Sequence, residues 1–376
     1  MIPVFKPLIE LEEFEAANSV LTNGWLGMGS YVGEFESKVS ELLNLTDRHV
    51  VATSTGHAAL HLAMLLFDIG PGDEVITPAF NNIADFQAIL AVGAKPVFCD
   101  VLESTLCIDL NKAEKLITEK TKAIIVMDYD CFLCDHDKAI EIGKNNNIKI
   151  IHDAAHSFGA IYKGRYVGSF ADATMFSFDP VKSITCLDGG ALVVKTQDEV
   201  DRLHEMRLLG MGQPSSVMYN NKRTWTYSVD KLGLRYHMSN MHAAIGLAQL
   251  SKFEDIAKTR RYACNYYDNQ LKNIKEIKVP GADYSFVVPF LYYIRVPRDK
   301  RKDFINWMKQ EGVDLGIHWQ PGHWFNLFRD CKCGDLSVTE KIAYEVVSLP
   351  LHSKMCDEDL NIITTKIKEF FQSELS

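Results

Sequence analysis

Seven short, nearly continuous apolar runs punctuate the first 250 residues, and no other feature of the sequence restricts the fold as strongly. They span 49–52, 74–77, 96–99, 122–127, 149–152, 173–178 and 190–194. Runs this short, without polar alternation, suit strands covered on both faces. Helix-like segments at 58–67, 83–91, 110–117 and 139–146 lie between several of them. The alternation predicts an α/β fold, a mostly parallel seven-stranded sheet sandwiched by helices. In such sheets reactive groups collect on loops at the carboxyl ends of the strands.

Past residue 250 the pattern changes. Residues 252–273 read as a long amphipathic helix, 286–296 as strand-like and 301–312 as helical. A Trp/His/Pro-rich loop at 317–325 and a closing helix at 357–373 follow. The expectation is a large domain over 1–250 and a smaller C-terminal α+β lobe over 251–376, with the boundary in the long helix.

Charge and cysteine usage exclude several classes. Forty basic and forty-nine acidic side chains give a net charge of -9, the wrong sign for a nucleic-acid or anionic-membrane surface. No apolar run approaches the ~18 residues of a membrane helix. Glu10, Glu12 and Glu13 interrupt the start before a signal-type apolar core develops, so no secretory signal is expected. Nine scattered cysteines do not form a disulfide framework, which predicts a reducing cytoplasm. Cys131-x-x-Cys134, with His136 nearby, and Cys331-x-Cys333 are too far apart and wrongly spaced for paired zinc knuckles; free thiols and no metal are expected. Gly24, Gly27, Gly29 and Gly33 imitate a dinucleotide fingerprint. The spacing is one residue too long and no strand precedes it, so the segment reads as a flexible loop.

Three loops carry chemistry. In Ser177-Phe-Asp-Pro-Val-Lys182, a lysine follows a buried run and precedes Gly189-Gly190. It is either a surface turn lysine or a neutral amine suited to Schiff-base formation. Asp153 ends another apolar run in His152-Asp153-Ala-Ala-His156, as a helix N-cap or as the partner of a buried cation. The pair together points to pyridoxal phosphate, which needs a lysine at its aldehyde and a carboxylate at its ring nitrogen. Ser54-Thr55-Gly56-His57 joins the first strand to a helix; an N-cap and a phosphate cradle are compatible there.

The ordered set of motifs resembles the DegT/StrS sugar aminotransferases, pyridoxal-phosphate enzymes of fold type I, almost end to end. It runs from Ile2-Pro3 and Gly24-Trp25-Leu26 through Pro71-Gly-Asp-Glu-Val75 and Gly93-Ala-Lys-Pro-Val-Phe98. The Asp153 segment, 177–190, Met238-Ser-Asn-Met-His-Ala-Ala-Ile-Gly246 and Leu349-Pro-Leu-His352 complete it.

The resemblance implies roles by position. Lys182 would be the lysine that binds the cofactor covalently. Asp153 would hold the ring nitrogen protonated, and His156 would lie against the ring hydroxyl. Gly56, His57 and Ser177 would bind the phosphate, and the segment around Arg235 would cross to the partner's phosphate in a homodimer with shared active sites. Asn82 stands where the family carries a ring-stacking aromatic, with Phe80 its nearest aromatic neighbour. Arg235 replaces a usual Asn, His237 a usual Arg, and Asp128-Tyr-Asp130-Cys131 departs from the family pattern. The implied reaction moves an amino group from L-glutamate to a 3- or 4-keto carbon of a nucleotide-linked deoxyhexose. Trp25, His318, Trp319 and His323 are expected substrate contacts, the histidines reading equally as solvated or packing residues; Trp324 is expected to pack. Arg207 reads as a phosphate ligand or a salt bridge. The competing readings are a sugar 3-dehydratase, which carries histidine where Lys182 stands, and a non-catalytic member of the fold.

Overall fold

The computed structural model describes residues 1–212, 215–222 and 224–373. Its central sheet contains β1 (His49–Thr53), β2 (Glu74–Pro78), β3 (Lys95–Cys99), β4 (Thr121–Met127) and β5 (Lys149–Asp153). After a two-residue hairpin, β6 (Ile161–Tyr162) with β7 (Arg165–Tyr166), come β8 (Ala173–Ser177) and β9 (Gly190–Val194). The sheet order is β1-β9-β8-β5-β4-β2-β3. Only β9 runs against the rest, pairing antiparallel with both β1 and β8. The seven apolar runs are therefore the seven strands, and the mostly parallel sheet is found as expected.

The runs lack alternation because both sheet faces are buried. In β4, Ile124 and Val126 feed the core beneath helices Leu110–Leu116 and His136–Asn146, while Ile125 feeds the core beneath Gly56–Leu66. Each such side chain contributes about 1.5–3 kcal/mol of apolar burial.

The C-terminal α+β lobe pairs β10 (Tyr292–Arg295) with β11 (Val346–Leu349), antiparallel. Helices Phe253–Leu271, Arg301–Gln310 and Asp357–Ser373 flank it. The strand-like stretch 286–296 is shorter than its pattern: Phe286 belongs to the 3-10 turn Tyr284–Phe286, and the strand begins only at Tyr292. The chain start joins this lobe: Ile2 N–H donates to Gly312 O at 2.7 Å, and Leu351 N–H to Val4 O at 3.0 Å.

The expected flexible loop at Gly24–Gly33 is instead a tight link between two helices, Leu11–Asn23 and Ser30–Leu42. Gly24 is the left-handed C-cap of the first, at φ 74°. Gly29 starts the second, where a Cβ would come within 2.6 Å of Asn240 Nδ2. Both helices pack on Asn240–Ser251, a contact between distant segments that local patterning does not reveal.

Candidate active site

Because β9 is reversed, its first residue lies at the same sheet edge as the carboxyl ends of its neighbours. Gly190 sits opposite Thr53 on one side and Ser177 on the other. At this edge the loops after β1, β2, β5 and β8 enclose a cavity of about 380 Å³. Gly56, His57, Asn82, Asp153, His156, Ser177, Lys182 and Trp319 line it together.

The helix-start cradle follows from backbone accounting. Thr55 caps Gly56–Leu66: its Oγ1 accepts Ala58 N–H at 2.9 Å, and its carbonyl accepts Ala59 N–H. The amides of Gly56 and His57 have no acceptor among the described residues, so the helix start retains two donors for an anion. Close packing fixes them. A Cβ on Gly56 would lie 2.9 Å from Ser177 Cβ, and one on Gly190 would lie 2.4 Å from Thr55 O. Gly190→Ala is therefore expected to weaken cofactor retention about tenfold or more, the scale of 1–3 kcal/mol of overpacking strain; cofactor content per chain after dialysis measures it.

Lys182 lies in a turn closed by Asp179, whose carbonyl accepts Lys182 N–H at 3.0 Å. Its Nζ stands 4.0 Å from the centroid of the Phe290 ring, contributed by the C-terminal lobe. Burial pushes the amine down to about 8, against the pull of Asp153 and Asp179. About a tenth of the amine is then neutral at pH 7, far more than for an unshifted lysine. Asp153 ends β5 and is 3% exposed. Its Oδ1 accepts Ala155 N–H at 2.9 Å. Burial pushes this carboxyl up, opposed by the Ala155 amide and Lys182.

His156 packs its ring on Phe290 at 4.5 Å and near Trp319 at 6.0 Å. Its Nδ1 accepts Asp130 N–H at 3.3 Å, which assigns the proton to Nε2. Burial, then Lys182 and His318, hold it well below the usual imidazole range. It is a neutral donor. The anion donors, the lysine, the buried carboxylate and this imidazole are the set pyridoxal phosphate requires, and the cavity fits it.

Other expectations turn out differently. Asn82 lines the cavity, but its Oδ1 caps helix Ile83–Ala91 by accepting Ala84 N–H at 2.9 Å. Phe80 offers no ring cover; it is fully buried against Tyr129. His323 is not a cavity residue. The 3-10 turn Gly322–Trp324 sends it toward Phe98 and Glu340, with Nε2 3.3 Å from the Glu340 carboxylate. His318 is held by Ser348 at 2.8 Å, and burial followed by Lys182 pushes it down to about 4. Trp324 packs on Tyr344, as expected. Trp25 and Arg235 line a separate cavity of about 330 Å³. Arg207 is no phosphate ligand: fully buried, it pairs with Glu36 at 2.7 Å.

The cysteine expectation resolves into hydrogen bonding. Cys131 and Cys134 are free and buried. His136 turns to Asp128, whose two oxygens meet His136 Nε2 at 2.9 Å and His152 Nε2 at 2.7 Å. Burial would push Asp128 up, but the two imidazoles hold it well below the usual range.

Sequence reasoning missed Phe290 and Asp179. Asp179-Pro180 carried a turn signal; Phe290 arrives from a hundred residues away, within an apolar run with no local mark.

A sheet of this order and strand direction, with its cavity at the reversed strand, places the molecule among pyridoxal-phosphate enzymes of fold type I. The DegT/DnrJ/EryC1/StrS aminotransferase family model matches residues 7–368. The chain belongs to that family and is a pyridoxal-phosphate-dependent sugar aminotransferase. It is 30% identical to GDP-perosamine synthase of Escherichia coli O157:H7, covering 99% of each chain. It is also 30% identical to the spore coat polysaccharide biosynthesis protein SpsC of Bacillus subtilis, covering 98% of this chain and 96% of that one. Among solved structures it is similar to the aminotransferase TlmJ from Streptoalloteichus hindustanus, with a TM-score of 0.92, 27% identity and 100% of both chains covered.

Proposed function

We propose that the protein transfers an amino group from L-glutamate to the C3 or C4 keto carbon of a nucleotide-linked 6-deoxyhexose. The product would serve deoxyamino-sugar synthesis for a surface polysaccharide or glycoside. The observation that carries this reading is the presence of Lys182 and Asp153 together in the lining of one cavity, in a chain similar along its whole length to a GDP-perosamine synthase.

Bound pyridoxal phosphate supplies an aldehyde and an electron-withdrawing ring that stabilises a carbanion beside the reacting amine. The chain's residues do the rest. Gly56 and His57 amides and Ser177 would hold the phosphate, and Asp153 would keep the ring nitrogen protonated. His156 Nε2–H would be the donor available to the ring oxygen. Lys182 Nζ, as a neutral amine, would hold the aldehyde and would carry the proton between the reacting carbons. Trp319 closes the cavity with its Nε1–H unpartnered among the described residues, a donor available to the sugar.

The depressed Lys182 ammonium has a measurable consequence. Cofactor capture by apoprotein should accelerate with pH and level off above about pH 8, as the neutral amine becomes dominant. Stopped-flow absorbance measures this; a rate still climbing steeply at pH 10 would mean an unshifted lysine.

A homodimer accounts for Arg235. Leu209, Trp225, Tyr227, Val229 and Leu232 are exposed on the same segment, Trp225 at 89%, an apolar surface suited to a second copy. The crossed segment would bring Arg235 to the partner's phosphate, where a guanidinium binds bidentately. No described helix is long and apolar enough to cross a membrane, which is compatible with a cytoplasmic enzyme. We place the lobe boundary where helices Asn240–Ser251 and Phe253–Leu271 break at Lys252.

The decisive experiment incubates holoenzyme and glutamate with dTDP-, UDP- and GDP-linked 3- and 4-keto-6-deoxyhexoses and reads product mass. One amino sugar with stoichiometric 2-oxoglutarate is expected. Loss of water from the sugar without amination would replace the reading with dehydration.

A further inference from the structure

We propose that Asp85 stands behind Asp153 as an uncharged carboxylic acid and donates a hydrogen bond to it, keeping Asp153 ionised for the cofactor ring nitrogen. The inference rests on the role given to Asp153 above.

Asp85 occupies the first turn of helix Ile83–Ala91 and is 0% exposed. Asn81, itself 1% exposed, donates Nδ2–H to Asp85 Oδ2 at 2.6 Å. The Asn81 amide is fixed from its other end, where Oδ1 accepts Asn82 N–H at 2.6 Å. Asp85 Oδ1 has no donor among the described residues. The carboxyl group that it meets in hydrogen-bonding contact is that of Asp153.

Two carboxyl groups in contact away from water cannot both remain anions, and only a proton makes a bond between two acceptor oxygens. The surroundings decide which residue holds it. The groups acting on Asp153 are the Ala155 amide, Lys182, His152 and Asp85, all favouring its anion against burial. Those acting on Asp85 are the Asp153 charge and the neutral amide of Asn81. Burial and the neighbouring carboxylate push Asp85 well above the usual range. The proton therefore resides on Asp85. Its O–H donates to Asp153 from the side away from the cavity, offsetting part of the cost of burying that anion. Asp85 is a positioning residue: it acts on the cofactor only through Asp153.

Infrared spectroscopy of the full-length apoprotein at neutral pH tests the proton directly. A protonated-carboxyl C=O band is expected in the wild-type minus Asp85→Asn difference spectrum, which cancels the other buried carboxyl groups; Asp85→Asn is a near-isosteric change that keeps the fold. With ¹⁵N-labelled pyridoxal phosphate bound, Asp85→Leu should move the ring-nitrogen resonance toward its unprotonated position, whereas Asp85→Asn, which retains an N–H donor, should hold it. The Asp85→Leu kcat should fall about tenfold, the scale of one charge-assisted hydrogen bond. No such band in the difference spectrum overturns the proposal. Asp153→Asn separates the two readings. If it shifts the resonance and Asp85→Leu does not, only the role of Asp85 falls; if Asp153→Asn leaves the resonance in place, the assignment of Asp153 falls as well.

Discussion

Lys182→Ala is expected to lose about four orders of magnitude in kcat or more, because one side chain serves as both covalent tether and proton carrier. General acid/base catalysis alone accounts for 10²–10⁴-fold, and loss of the nucleophile removes a second contribution. Purified Lys182→Ala should also lack the visible absorbance of covalently held cofactor. Stability should move the other way. The ammonium is depressed to about 8 chiefly by burial, so between about pH 8 and 10.5 the folded protein binds fewer protons at this site than the unfolded chain, and the resulting destabilisation is present in full below pH 8. Removing the group removes that penalty, and the melting temperature should hold or rise. Thermal unfolding with product mass on the same sample distinguishes lost chemistry from lost fold. Turnover above a tenth of wild type would remove Lys182 from the mechanism.

The residues legible in the sequence were those whose signal is local. Asp153 and Lys182 each follow directly on a buried run, and the topology of a parallel sheet carries every such position to one edge. Thr55 and Gly56 could be read as cap and cradle at once because both depend on a helix start. The Trp/His-rich loop shows the limit. His318 and Trp319 approach the cavity, while His323, five residues after His318, is turned away by Gly322–Trp324. No periodicity distinguishes them. Asp85 was missed although its signal was available: it shares a helix face with buried Ala88 and Ile89, where an ionised carboxylate would be out of place. Asn82 was read against the family's aromatic, yet the structure gives it an ordinary capping bond.

Arg207 was legible only as a charge, because its partner lies 171 positions earlier in the chain. β1 is an edge strand of the sheet, and its Ala52 backbone is satisfied by side chains. Ala52 N–H donates to Glu36 Oε1 at 2.8 Å, and Ala52 O accepts from Arg207 Nη1 at 2.5 Å. Tyr219 completes the ring of contacts, donating to Glu36 Oε2 and accepting from Arg207 Nη2 at 2.7 Å. Burial opposes the Arg207 charge, but Tyr219 and Glu36 outweigh it. Arg207→Met would leave the Glu36 carboxylate buried without its cation, at a cost of about 3–5 kcal/mol. Adding Glu36→Met removes the stranded charge, and for many buried pairs that restores stability fully. Here it should restore only about half, because the Ala52 carbonyl stays orphaned and the Ala52 amide now loses Glu36 as well, at roughly 1–3 kcal/mol each. Urea midpoints of wild type, both single variants and the double variant measure the coupling. Since β1 leads directly into Thr55–Gly56, the Arg207→Met variant should also retain cofactor poorly. A single variant within 1 kcal/mol of wild type would show that the ion pair does not hold the edge strand.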